Sequence, residues 1–423
     1  MAGKRLILSA IMSTVNTWRH PGLDPKGIFT LEFYKELART AERGKLDMLF
    51  FGDALSLPGQ ERGDRIAEHA LTRGIEPLTL ISALSSHTER IGLICTLNTS
   101  YMEPTQIAGK MATADLLSGG RTAWNAVTGT IGKDDDNLFK REEMSHADRY
   151  DRTDEYIELV KKLWRSGASS EAAFHHRGKW FEVNEGLNIP ASEQGQPLII
   201  QAGRSAEFQR QAAKTADAVF TTFSNLEEGR AFYANVKNQM APFGRNRDDI
   251  KILPGLRPII ASTEQEALQK QAYLSSLIHP ILSINSLSQS LAFDLSDYDP
   301  NGPLPELPEP SSRLTHDDLA YRSQLAELAS KQNLSILELS RKISDSRGHL
   351  SFVGTPEKLA DYMEEWLDKE GSDGFNIMFP YLPGGLNDFV DLAIPVLQRR
   401  GLFRNDYEGA TLREHLGLPE RSQ

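Results

Sequence analysis

The sequence predicts an α/β fold, a (β/α)8 TIM barrel with insertions, the largest of them between strands 7 and 8. Three observations lead there. Eight short β-rich runs recur along the 423 residues, helical periodicity fills most of the gaps, and several runs are continuously apolar rather than alternating. Continuous apolar runs suit parallel strands covered by helices on one face and packed side chains on the other. Strand and helix in alternation build a parallel sheet, and eight such units favour closure into a barrel, typically of ~250 residues and longer when it carries insertions.

The strands are expected at Arg5 to Ile11, Leu46 to Gly52, Ile91 to Asn98, Thr122 to Thr128, Leu198 to Ala202, Ala218 to Thr222, Ile250 to Ile260 and Gly374 to Phe379. Helices are expected at Leu31 to Arg43, Gln106 to Leu117, Tyr150 to Trp164, Ala206 to Thr215, Leu226 to Gln239 and Pro356 to Lys369. In the third helix Tyr156, Leu159, Val160 and Leu163 recur at three- and four-residue spacing and form one buried stripe. The alternation stops between about Glu264 and Gly348. This stretch holds an apolar helical run (Tyr273 to Leu291), five prolines (Pro300, Pro303, Pro305, Pro308 and Pro310) and more helix from Asp317 to Ile343. Prolines at that density exclude a regular element, so the segment reads as an excursion over the C-terminal face, either a lid and oligomer arm or a loop without a role. Residues 1–423 are thus read as one barrel domain with an insertion at about 264–348.

Composition narrows the classes. At 39% hydrophobic and 25% charged, the chain can bury a large core, and its net charge of −11 argues against a nucleic-acid surface. The single cysteine, Cys95, cannot form an internal disulfide and lies in an apolar run, which reads as a buried thiol in a reducing compartment. No segment approaches the ~20 apolar residues that cross a bilayer, so a cytoplasmic location without a membrane partner is expected.

Barrel active sites lie at the C-terminal strand ends. Strand two ends in Phe51-Gly52-Asp53, a carboxylate open to catalytic, cofactor or substrate work and equally to capping a helix. Strand three ends in Asn98-Thr99-Ser100 and strand four carries Asn125; such hydroxyls and amides suit a flat hydrogen-bonding heterocycle better than a metal, with turn chemistry as the alternative. His146 and Tyr150 are four apart at a helix start, on one face of its positive end, unless they are a surface pair. Gly203-Arg204-Ser205 opens a helix after strand five and makes an anion site, most naturally for a phosphate. Paired histidines at helical spacing, a Cys pair, Gly-X-Gly-X-X-Gly, a Walker sequence and Gly-X-Ser-X-Gly are all missing. No metal site is expected, and dinucleotide-binding, NTPase and serine-hydrolase readings lose their footing.

Further motifs run through the chain in one order. They are Trp18-Arg19-His20-Pro21, Gly120-Arg121-Thr122-Ala123-Trp124-Asn125, His146-Ala147-Asp148-Arg149-Tyr150, Gln201-Ala202-Gly203-Arg204-Ser205, Arg347-Gly348-His349 with Phe352-Val353-Gly354, and Arg399-Arg400-Gly401-Leu402-Phe403. With them the chain resembles the bacterial luciferase-like flavin monooxygenases, in particular the nitrilotriacetate monooxygenase component A and dibenzothiophene sulfone monooxygenase type. The resemblance implies FMN, bound as FMNH2, with O2 as co-substrate. It implies contacts to FMN from Asp53, Thr99, His146, Tyr150 and Ser205, with the phosphate at Ser205 and its neighbours and Asn125 beside the isoalloxazine. Arg204 stands where related chains often carry a small residue, and its cation could tighten or crowd the phosphate. A separate NAD(P)H:flavin reductase and a homodimer or homotetramer are also implied.

His20 is the first candidate for a proton donor or substrate contact, because an imidazole titrates near working pH; a capping or packing role is the alternative. His316 and His349 could complete the pocket under a closed lid, or be structural. The reading is an FMNH2-dependent monooxygenase that inserts one oxygen atom of O2, via a flavin peroxide, into a small apolar, aromatic or sulfur-containing compound, with a polycarboxylate still open. The alternatives are a flavin- or deazaflavin-dependent reductase, a non-catalytic flavin-binding protein and a phosphate-binding lyase.

Overall fold

The strand side chains sort into two faces. Ile7, Met48, Phe50, Ile94, Ala123, Leu198, Ile200, Ala218 and Leu253 pack on one another. Their chain neighbours Leu8, Leu49, Leu93, Trp124, Ile199, Val219 and Ile252 join a separate cluster with the helices. Every second residue therefore faces the barrel interior, and both faces are buried, which is why the strands read as unbroken apolar runs. In the computed structural model, which describes residues 4–12, 20–23, 27–53, 75–128, 146–168, 174–309, 316–346 and 348–420, these strands form a closed parallel barrel.

In chain order the strands are β1 (Ile7–Ile11), β2 (Met48–Phe51), β3 (Gly92–Asn98), β4 (Thr122–Val127), β5 (His176–Arg177), β6 (Glu182–Val183), β7 (Leu198–Ala202), β8 (Ala218–Thr221), β9 (Lys251–Ile260), β10 (Leu350–Gly354) and β11 (Gly374–Met378). The ring runs β1-β2-β3-β4-β7-β8-β9-β11 and closes where β11 pairs with β1. All eight expected strands are present. Two features were not expected. β5 and β6 form a short antiparallel hairpin, and β10 runs parallel to the upper half of β9, from Leu350 against Leu256 to Gly354 against Ile260.

The helices are α1 (Leu31–Arg43), α2 (Pro77–Ser85), α3 (Pro104–Leu117), α4 (His146–Ala168), α5 (Ala206–Thr215), α6 (Leu226–Asn238), α7 (Glu264–Ser276), α8 (Pro280–Leu291), α9 (His316–Gln332), α10 (Ile336–Ser346), α11 (Pro356–Asp368), α12 (Gly384–Asp388), α13 (Ile394–Arg399) and α14 (Leu412–His415). The apolar run from Tyr273 to Leu291 is two helices, broken where Pro280 starts α8 with the His279 side chain as its cap. Ile284, Leu287 and Leu291 of α8 meet Leu325 of α9 and Leu339 of α10, so the insertion has a small core of its own.

The N-terminal end of the barrel is fastened shut. The residue before three strands is an aspartate whose carboxylate accepts an amide N–H from the neighbouring strand: Asp47 from Leu8 at 2.7 Å, Asp217 from Ile199 at 2.8 Å, and Asp373 from Ile252 at 2.8 Å. Leu412, Leu416 and Leu418 of the C-terminal tail plug this mouth, and a β-carbon on Gly92 would lie 2.4 Å from Leu412 Cδ1. Ligand access is left to the opposite end, where the strands finish. Cys95 faces outward instead, buried 3.4 Å from Met111 Sδ, and burial pushes its thiol pKa up, so it is inert packing.

The same plug carries an acid-sensitive group. Burial holds His415 down to about 4, helped by the Arg404 guanidinium, although Nε2 bonds the Gly409 carbonyl at 3.1 Å. Above pH 6.5 neither state is protonated; below it the unfolded chain takes up a proton that the folded chain refuses. Stability should fall between pH 6.5 and 4, by about 3 kcal/mol from this residue. Urea unfolding of His415→Gln should show a correspondingly shallower loss over that window.

Candidate functional site

The upper inner wall holds polar atoms that the fold leaves without partners. Asn125 is 3% exposed and donates from Nδ2 to Thr96 Oγ1 at 2.9 Å, and Thr96 in turn donates to the Phe51 carbonyl at 3.0 Å. The Thr96 proton is thus used, so it can only accept from the amide, and among the described residues Asn125 Oδ1 is left as a buried acceptor with no partner. Ser9 Oγ and Asn376 Oδ1 are in the same state, on paired positions of β1 and β11. Such a group costs ~1–3 kcal/mol when nothing satisfies it, so three of them facing one interior make this wall a candidate for a ligand with hydrogen-bonding edges.

At the end of β7, the neighbour of β4, two hydroxyls meet at a helix N-terminus. Ser205 caps α5, its hydroxyl accepting the Phe208 amide at 3.2 Å, and the Tyr150 hydroxyl lies 3.3 Å from Ser205 Oγ. Arg152, two residues along α4 from Tyr150, donates to the Thr99 carbonyl at 3.0 Å and ties that helix to the end of β3. Thr99 is also held by Val127, whose carbonyl accepts its amide at 2.9 Å. Gly203 allows the close packing here, since a β-carbon on it would meet the Phe208 ring at 2.7 Å.

The candidate residues occupy consecutive strand ends. His20 follows β1, Asp53 follows β2, Thr99 follows β3, Asn125 is in β4 and Ser205 follows β7, one continuous arc of the ring. Asp53 is exposed and shares a groove of about 810 Å³ with Glu76, Asn98, Tyr101, Met102 and Leu117. Arg204 is turned toward α6, with its guanidinium 3.6 Å from Glu228. His146 is the first residue of α4 and His316 the first of α9, but their side chains lie outside the described residues, as do Trp18 and Arg19. His349 stacks on Phe220, with centroids 5.3 Å apart, and fills the space above Gly255.

Some residues of this wall were not anticipated. Ser9 and Asn376 lie inside strands rather than at their ends; their readable signal is one polar residue within an apolar strand, as in ILSAI and GFNIM. Arg257 is another: it shares the inward face of β9 with Leu253 and Gly255, is 5% exposed, and donates to the Ser344 carbonyl at 3.1 Å. A cavity of about 290 Å³ lined by Arg5, Asp248, Lys251 and Asp373 lies at the opposite, plugged end and takes no part. Among the described residues no three His, Cys, Asp or Glu side chains are grouped to hold a metal, and no helix is long and apolar enough to cross a membrane.

Comparison with known proteins supplies the family. The luciferase-like monooxygenase family model matches residues 11–373. N-acetyl-S-(2-succino)cysteine monooxygenase of Bacillus subtilis is 44% identical, over 96% of this chain and 93% of that one. Nitrilotriacetate monooxygenase component A of Aminobacter aminovorans is 41% identical, over 95% and 93%. Among solved structures, a riboflavin lyase with modified FMN and the substrate riboflavin superposes with a TM-score of 0.84 at 26% identity, over 99% of this chain and 97% of that one. With most of its length matched and relatives that are named monooxygenases, the chain belongs to the luciferase-like monooxygenase family and is an enzyme of that kind.

Proposed function

We infer that this chain is the oxygenating component of a two-component monooxygenase, receiving FMNH2 from a separate NAD(P)H:flavin reductase and inserting one atom of O2 into a small organic substrate. The observation that carries it is the Tyr150–Ser205 cradle at a helix N-terminus, on the same rim as the unpaired acceptor of Asn125. A phosphate suits the cradle, where free amide groups and the helix dipole favour an anion. The inner acceptors suit a reduced isoalloxazine, which carries ring N–H groups that can donate to them. A relative named as a component A and another solved with modified FMN support the same cofactor and division of labour.

Bound reduced flavin supplies the electrons that activate O2. The chain's own work is to hold and shield it. Ser205, Tyr150 and their neighbours Thr99, Arg204 and His146 bind the phosphate end, Asn125 and Asp53 orient the ring, and the insertion excludes water. His20 and His316 are assigned to the substrate side as proton donors or contacts. A cytoplasmic homodimer or homotetramer goes with this reading.

The test is O2 consumption by purified enzyme with a flavin reductase and NADH, with 18O2 followed into product. Turnover without O2 would mean a deazaflavin- or flavin-dependent reductase, and flavin bound without product would mean a binding protein.

Of the apolar, aromatic or sulfur-containing compounds expected, Arg257 favours a sulfur-containing one that also bears a carboxylate, as does the name of the relative acting on N-acetyl-S-(2-succino)cysteine. Arg257→Gln should raise KM for that compound about tenfold with kcat within about twofold, the pattern of lost uniform binding. An apolar probe such as dibenzothiophene sulfone should be indifferent to it. Equal effects on both probes would remove the carboxylate from the reading.

A further inference from the structure

His20 is held on three sides by residues that no motif pointed to. Its Nδ1 accepts the Gly22 amide at 3.2 Å, so the neutral ring carries its proton on Nε2. Nε2 is then the donor nitrogen of the ring. The ring lies flat on Tyr381, centroids 4.6 Å apart and planes at 19°, with Tyr273 edge-on at 6.2 Å.

Tyr381 is itself pinned. Its hydroxyl donates to Asp388 Oδ2 at 2.7 Å, and the same oxygen takes Lys270 Nζ, which sits 5.3 Å over the Tyr381 ring and also donates to the Ile260 carbonyl at 3.2 Å. Burial and the Asp388 carboxylate push the Tyr381 pKa up, so the hydroxyl stays a donor at working pH. Gly384 leaves room for the ring, because a β-carbon there would lie 2.1 Å from Tyr381 Cε2. Lys270 and Tyr273 are three apart on α7, the first helix of the insertion, whereas Asp388 and Tyr381 follow β11. The assembly therefore joins the insertion to the barrel rim through the ring stack on His20.

We propose that Tyr381 is the positioning residue of His20. Its ring, anchored by Asp388 and Lys270, fixes the plane of the imidazole and so the direction of the Nε2–H bond. The inference rests on the reading of His20 as a proton donor or substrate contact. It adds a role for the insertion: α7 supplies one half of the anchor, so a shift of that helix is felt at the donor. Tyr381 touches neither flavin nor substrate in this scheme and acts only through His20.

The test uses full-length enzyme without flavin, in which the order parameter of the His20 ring is measured by 13C relaxation and assigned by its loss in His20→Ala. Wild type should give a rigid ring near ~0.85, Tyr381→Phe, which keeps the stack but loses the bond to Asp388, an intermediate value, and Tyr381→Leu a value below ~0.6. A ring as rigid in Tyr381→Leu as in wild type overturns the proposal. Should Tyr381→Leu fail to fold, Asp388→Ala, which releases the hydroxyl, takes its place, with an intermediate value expected and an unchanged one overturning it.

Turnover of N-acetyl-S-(2-succino)cysteine, or of whichever screened compound the enzyme oxygenates, then gives the second arm. Tyr381→Leu should cut kcat about tenfold in the wild-type background and cost nothing further in His20→Ala, because residues that act as a unit are not additive. An equal loss in both backgrounds would make Tyr381 merely structural and sink the proposal. If His20→Ala itself turns over normally while the ring measurement comes out as expected, the role of His20 fails and its positioning by Tyr381 stands.

Discussion

Ser205→Asp is expected to weaken FMNH2 binding about 100-fold, about 2.7 kcal/mol, with the fold unharmed. Aspartate caps a helix as well as serine does, so the bond from the Phe208 amide to residue 205 survives. What changes is the charge. A carboxylate would sit where the α5 N-terminus and Tyr150 otherwise receive a phosphate, and like charges placed together cost several kcal/mol. Riboflavin, which has no phosphate, is the control and should bind both proteins within about twofold by anaerobic titration. If both ligands lose affinity equally, the phosphate is not held at Ser205. Ser205→Ala should do less to binding and more to stability, losing about 1 kcal/mol of cap energy.

Gly374→Ala should unfasten the barrel at its closing seam. Gly374 pairs with Ile7 where β11 meets β1, and a β-carbon there would lie 1.9 Å from the Ile7 carbonyl oxygen and 2.5 Å from its nitrogen. The obstacle is backbone, so no rotamer relieves it, and β1 is held on its other side by β2. Overpacking typically costs ~1–3 kcal/mol, and at least the upper end is expected here, read as a lowered first urea midpoint or failure to accumulate folded protein. Gly119 is the contrast: its φ of +69° disfavours alanine but nothing lies within 4 Å of the added carbon, so Gly119→Ala should cost only about 1 kcal/mol.

Much of the architecture was legible because a parallel strand buried on both faces leaves a strong local mark. Leu46 to Gly52 and Ile91 to Asn98 could be located from composition alone, and none of the eight strands moved by more than two residues at either end. β10 left no such mark. Its residues Ser351 to Val353 are partly exposed, and it is a strand only because the upper half of β9 offers it an edge. The β5–β6 hairpin, two residues a side, is below the length at which periodicity means anything.

The site divides in the same way. Asp53, Thr99, Asn125 and Ser205 could be nominated because barrel geometry sends strand ends to one face, whatever the loops do. Arg204 could be nominated for its charge, but its neighbour Glu228, twenty-four residues later, could not be read beside it. Tyr381 carried no signal at all, since the stack that gives it meaning joins positions 20 and 381.

By itself, then, the order of residues determined which segments become strands, which helices cover them, and that small polar side chains gather at the strand ends. Those properties follow from burial and hydrogen bonding within a few residues along the chain. Tertiary structure alone decided which polar atoms stay unpaired inside among the described residues, that Glu228 stands beside Arg204, and how His20 is held between the residues after β11 and the insertion. Each of these depends on a distance between side chains far apart in sequence, and such distances exist only once the barrel has closed.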